Sequence, residues 1–73
     1  MQTEMKNINL LQLEAMVRLV EERSFSRAAK RMFLTQPSLT KHIRNLEDVL
    51  GAKVVNRASR DFTLTPEGRV IFD

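Results

Sequence analysis

Apolar positions recur at helical spacing in three stretches of this 73-residue chain. In the first, Asn9 to Arg23, one stripe is formed by Leu10, Leu13, Val17 and Val20 and widened by Met16, while Leu11, Ala15 and Leu19 make a second apolar side. Glu14, Arg18, Glu21 and Glu22 remain as the wet surface. A helix with two apolar sides is packed on two sides. One can cover the segment that follows, and the other requires either the last helix of this chain or a second subunit. The second stretch is a helix of about two turns, from a Ser26 cap through Arg31, carrying the small pair Ala28 and Ala29. In the third, Leu39, Ile43, Leu46 and Leu50 follow the spacing that puts four branched side chains on one stripe. Thr35 is a good N-cap for this helix, Pro37 falls in its first turn where a missing N–H costs nothing, and Gly51 is placed to end it in a left-handed conformation.

Opposite that last stripe, the third helix collects Pro37, Thr40, Lys41, Arg44 and Asp48, with Gln36 and Ser38 exposed near its first turn. Two short helices joined by a tight turn, the second presenting a polar and mostly basic pole, read as a helix-turn-helix that enters DNA. Ala28 and Ala29 allow the close crossing such a pair needs, and Phe25, Met32 and Leu34 supply larger apolar groups at the joint. Beyond Gly51, Val54-Val55 and Phe62-Thr63-Leu64 are β-prone runs flanking Asn56 to Asp61. They read as a two-stranded wing whose tip carries Arg57 and Arg60, cations suited to the minor groove or its phosphates. An ordinary polar loop is the plainer alternative, and Arg57 can instead pair with a carboxylate of its own domain. Thr65-Pro66-Glu67 then opens another helix with a cap, a proline at the first position and an acid in the first turn.

The run SFSRAAKRMFLTQPSLTKHIRNLEDVLGAKVVNRASRDFTLTPEG resembles the amino-terminal DNA-binding region of LysR-type transcriptional regulators. The resemblance spans about residues 8 to 73. It rests on Ser24-Phe25-Ser26 with Ala28-Ala29, Thr35 to Thr40, Ile43, Leu46-Glu47, Leu50-Gly51, Arg57, Leu64-Thr65 and Glu67-Gly68, in that order and spacing. Thr40 and Lys41 stand where the family often has serine and arginine, and Val55 where it commonly has phenylalanine; these departures bear on sequence preference and not on the fold. The expected class is mainly α, a winged helix-turn-helix with a three-helix core, a two-stranded β wing and the start of a linker helix. Residues 1–7 form a flexible lead-in, 8–65 the DNA-binding domain, and 66–73 the truncated start of a linker or dimerisation helix. The resemblance further implies a homodimer or tetramer in the full-length protein. It also implies a small-molecule inducer bound by a sensing domain outside this chain.

Geometry and resemblance together assign the site. Gln36, Pro37, Ser38, Thr40, Lys41 and Arg44 form the edge entering the major groove, where Gln36 suits adenine, Lys41 or Arg44 suits guanine, and Pro37 and the Thr40 methyl suit a thymine methyl. Ser26 and Thr35, with the amides of the helix start, are placed for phosphates, and Arg57 and Arg60 for the wing contact. Because one protomer offers one such helix, the expected partner is double-stranded DNA bearing an interrupted inverted repeat read by a symmetric pair.

Charge sharpens this picture. The chain carries a net +3, but residues 24 to 60 hold +6 while the flanks are acidic, so the positive field lies on the proposed DNA-reading segment. There is no cysteine for a disulfide or thiolate site, and one histidine, His42, without paired acids or a Gly-rich phosphate loop, so an enzyme, a cofactor and a bound metal are not expected. The absence of a long apolar run or a secretion signal is in keeping with a cytoplasmic protein that does not enter a membrane. A winged helix serving as a protein-protein module is the main rival. It would have no need of the basic pole.

Overall fold

The structure, a computed structural model, describes residues 9–57 and 62–72. Four helices follow in order: α1 Leu10–Glu22, α2 Phe25–Arg31, α3 Gln36–Leu50 and α4 Pro66–Phe72. The lead-in expected over residues 1–7 and positions 58–61 of the expected wing tip lie outside the described residues.

Each helix boundary has a local chemical cause. A capping box starts α1: the Gln12 amide donates to Asn9 Oδ1 at 2.8 Å while Gln12 Oε1 accepts from the Asn9 amide at 3.4 Å. Arg23 ends α1 in the left-handed region, at φ 55°, donating its N–H to the Leu19 carbonyl. The cap of α2 is Ser24, not Ser26: Ser24 Oγ accepts from the Arg27 amide at 3.1 Å, and Ser26 sits exposed inside the first turn. Of the two serines, the earlier one wins because Arg23 leaves α1 in a left-handed turn and Ser24 follows at once in extended backbone. For α3, Thr35 and Gly51 act as the sequence predicts, Gly51 at φ 71° donating to the Glu47 carbonyl at 2.8 Å.

The core gathers Ala15, Met16 and Leu19 of α1, Ala28 and Ala29 of α2, and Leu39, Ile43 and Leu46 of α3, with Val54, Val55 and Phe62 closing one end. Met16, Leu19, Leu39, Ile43, Leu46 and Val54 are the largest fully buried side chains, each contributing roughly 1.5 to 3 kcal/mol. Phe25 meets Phe62 edge to face with centroids 6.4 Å apart, joining the start of α2 to the segment after the wing. The two alanines let α2 cross close to its neighbours.

The apolar division of α1 differs from the one periodicity predicts. Its buried face is Gln12, Ala15, Met16 and Leu19, whereas Leu10, Leu13 and Val17 are exposed and Val20 is half-buried. Leu11 is exposed as well. The reason is that α1 packs on α2 and α3 together, and this junction takes the line through Met16 and Leu19, leaving the longer leucine stripe uncovered.

The expected two-stranded wing is seen only in part. Among the described residues it consists of one antiparallel bridge, Val55 to Leu64, flanked by bonds from the Asn56 amide to the Thr63 carbonyl and from the Thr65 amide to the Val54 carbonyl, both 3.0 Å. Toward α4 the ladder goes no further because the Val54 amide, which would face the Thr65 carbonyl, donates instead to the Glu47 carboxylate on α3 at 2.8 Å, joined there by the Val55 amide at 3.2 Å. The backbone donors serve the helix.

Candidate nucleic-acid interface

Thr35 organises the start of α3. Its Oγ1 accepts from the Ser38 amide at 3.2 Å and donates to Ser38 Oγ at 3.0 Å, while its carbonyl accepts from the Leu39 amide at 3.0 Å. The Ser38 and Leu39 amides are satisfied by Thr35 and Pro37 has no N–H, so Gln36 supplies the remaining first-turn amide. The hydroxyls of Thr35 and Ser38 thus hold each other, and Ser38 is half-buried.

Below this cap the exposed pole of α3 holds the residues the sequence places there apart from Ser38, which does not line it. Gln36, Pro37, Thr40, Lys41 and Arg44 line one shallow open concavity, joined by Asn45 and Asp48. Leu39, Ile43 and Leu46, buried on the opposite side, fix the rotation of the helix and therefore the direction of this pole. Of the predicted site residues, Ser26 stands apart on α2, and Arg60 lies outside the described residues.

Arg57 has a partner within the domain. Its Nη1 donates to Glu47 Oε1 at 2.8 Å, with 28% of the arginine side chain but only 1% of the glutamate side chain accessible. Burial pushes the Glu47 carboxyl up, yet donation from the Val54 amide, the Arg57 guanidinium and the Val55 amide, with the charge of Arg57, outweighs it and holds the carboxyl below the ordinary glutamate range. Glu47 is the structural residue that sequence reasoning passed over. Its signal was present: it stands four residues after Ile43 and next to Leu46, on the apolar stripe, where an acid must find a partner.

Other cations of the basic segment are also engaged. Arg31 pairs with Glu21 and Glu22 at 2.8 and 3.1 Å, and Arg27 donates to the Glu22 carbonyl at 2.8 Å and lies 3.5 Å from its carboxylate. These pairs tie α2 to the end of α1. Among the described residues, Lys30, Lys41, Arg44 and Lys53 form no ion pair, so the positive charge open to a ligand centres on α3 and the residues just after it. No described helix is long and apolar enough to cross a membrane.

A short helix braced across a second one, capped at both ends and showing a polar, cationic pole, defines a helix-turn-helix DNA-binding domain. Residues 10–69 match the family model described as bacterial regulatory helix-turn-helix protein, lysR family, and the chain belongs to that family. It is the DNA-binding region of a LysR-type transcriptional regulator. The HTH-type transcriptional regulator BenM of Acinetobacter baylyi is 40% identical over 65 residues, which are 89% of this chain and 21% of that protein. CysL of Bacillus subtilis is 37% identical over 60 residues, 82% of this chain and 20% of that protein. The chain therefore spans about a fifth of the length of these curated relatives. Among solved structures, the BenM DNA-binding domain in complex with catB site 1 DNA superposes with a TM-score of 0.82 at 40% identity, covering 89% of this chain and 73% of that one. Vibrio fischeri DarR in complex with DNA gives 0.84 at 38% identity, covering 89% of this chain and 22% of that one.

Proposed function

We propose that this domain binds double-stranded DNA sequence-specifically by laying the exposed pole of α3 in the major groove. The observation carrying this reading is the concavity along Gln36, Pro37, Thr40, Lys41 and Arg44, in which two unpaired cations stand beside side chains that hydrogen-bond or touch base edges. The relatives solved with DNA supply the analogy. Lys41 or Arg44 addresses guanine N7 and O6, Gln36 pairs with adenine, and Pro37 and Thr40 offer apolar contact to thymine. Thr35 and Ser38, whose hydroxyls are mutually bonded, orient the helix start toward the backbone, and Ser26 contacts a phosphate. Arg60 is the cation assigned to the minor groove, since Arg57 holds Glu47.

The intact protein acts in the bacterial cytoplasm as a homodimer or tetramer that reads two half-sites of an interrupted inverted repeat. Its response to a small-molecule inducer comes from a domain beyond this chain. The first test is an amide NMR titration with random duplex DNA at low and then higher salt. Salt-sensitive shifts gathered on residues 35–44 support the reading; no shifts at low salt, or shifts confined to α1, overturn it in favour of a protein partner. Once a preferred duplex has been selected, Arg44→Ala or Lys41→Ala weakens specific binding by about 1 to 3 kcal/mol where the side chain reads a base. Wild-type binding by both variants would remove α3 as the reading face.

A further inference from the structure

A second concavity adjoins the pole of α3. It is lined by Arg44, Lys53, Val55, Asn56, Arg57 and Thr65, and Arg44 borders both. Among the described residues it is lined by three basic side chains and no acidic one. Lys53 is held in place by its backbone: its carbonyl accepts from Thr65 Oγ1 at 2.6 Å, and the next residue, Val54, is fully buried with its amide on Glu47. The residue itself is exposed. Arg57 is committed to Glu47, whereas Arg44 and Lys53 form no ion pair among the described residues. Glu47, Asp48 and Lys53 border a third concavity together, but Glu47 is committed to Arg57 and no salt bridge joins Lys53 to either acid.

We propose that Arg44 and Lys53 form a seat for one backbone phosphate of duplex DNA, between the major-groove edge of α3 and the base of the wing. The assignment rests on the DNA-binding reading and adds a residue to it. Two unpaired cations from separate elements, facing one concavity with no carboxylate among its described lining residues, match a phosphodiester, which carries one negative charge and presents acceptors only. A base edge is less suited to Lys53, because the lysine follows the end of α3 instead of lying along its groove-facing pole. Its contact is therefore a positioning one, sensitive to salt and indifferent to sequence.

The test compares the 73-residue chain with Lys53→Gln, Lys53→Arg and Arg69→Gln, the last removing the same charge from α4. Binding to several duplexes of different sequence is followed by fluorescence anisotropy across a salt series. Lys53→Gln is expected to reduce the slope of log K against log salt by about 0.9, the value for one lost phosphate on B-form DNA, with equal weakening on every duplex. Lys53→Arg restores the slope, and Arg69→Gln keeps that of the wild type. The seat is overturned if Lys53→Gln binds like the wild type, if its loss differs between duplexes, or if Arg69→Gln lowers the slope equally. Failure of the wild type to bind any duplex would instead defeat the DNA-binding reading beneath it.

Discussion

Glu47 keeps its charge inside the domain because three partners replace the water it loses: two backbone amides and a guanidinium donate to it, and that guanidinium adds its own charge. Its folded pKa lies below the unfolded one, so its contribution is present above the ordinary value of 4.5 and is lost as pH falls through the depressed folded value. Thermal melts should hold steady toward pH 5 and then decline. Glu47→Gln should lie lower at neutral pH and decline less in acid; parallel acid profiles for the two proteins would remove Glu47 as the titrating group. Glu47→Ala is expected to cost roughly 2 to 3 kcal/mol, under the range for a fully buried pair because Arg57 is partly in water. Phe33 presents the opposite situation. In the turn between α2 and α3 it adopts φ 57° with 95% of its surface exposed, so a left-handed backbone is imposed on a bulky residue and its ring gains no burial in return. Bonds from the Phe33 amide to Lys30 and from the Leu34 amide to Ala29 maintain the turn. Phe33→Asn should therefore stabilise the domain by about 1 kcal/mol, raising its midpoint by roughly 4 to 8 °C. A lower midpoint would mean that the ring has a covering group in solution.

At the scale of elements, α4 is secured to the rest of the domain through the segment after α3. The Thr65 amide and hydroxyl donate to the Val54 and Lys53 carbonyls, the Gly68 amide donates to Thr65 Oγ1, and Gly68 lies against the Val54 backbone. A Cβ on Gly68 would come 2.2 Å from the Val54 carbonyl oxygen, a backbone atom that Glu47 and Thr65 prevent from moving freely. Gly51, by contrast, has open space around it and is constrained only by its φ of 71°. Gly51→Ala should cost about 1 kcal/mol, the strain of a left-handed alanine, and Gly68→Ala more, with amide shifts at Val54 and Thr65 as α4 is displaced. Urea titrations rank the two, and the reverse order would show that α4 separates without consequence. These particulars explain what was legible beforehand. The α3 stripe, the Thr35 and Gly51 caps and the exposed pole could be read because each depends on local spacing. The α1 faces could not, because they depend on which neighbour arrives: Leu10 and Met16 are equally apolar in sequence, and only packing against α2 and α3 separates them; the sequence offers Arg57 a carboxylate of its own domain without saying that Glu47 supplies it.

For the whole molecule, the uncovered apolar surface is the feature still in need of a partner. On α1, Leu10, Leu13 and Val17 are 79%, 38% and 42% exposed, and on α4 Val70 and Ile71 are 86% and 49% exposed. Single exposed leucines are ordinary, but a spaced stripe along one helix is more than scatter, and it offers a surface on which the proposed homodimer would pack. It also lies on the helix whose other side supports α2 and α3, so a subunit seated there would set the separation of two recognition helices without touching DNA. Replacing Leu13 and Val17 together with aspartate should leave the fold intact, since neither belongs to the buried core. Affinity for a duplex carrying a single selected half-site should then stay within about twofold of the wild type, while the additional affinity on two inverted half-sites falls by tenfold or more, about 1.4 kcal/mol of lost coupling. Anisotropy titrations on the paired duplex, with the spacing between half-sites varied in single base pairs, separate this coupling from simple avidity: a contact between rigid subunits favours one spacing and its helical repeats, and the double variant loses that preference. Equal losses on the single and paired duplexes would place Leu13 and Val17 in the folding of the protomer. A spacing preference that survives in the variant would move the subunit contact away from α1 altogether.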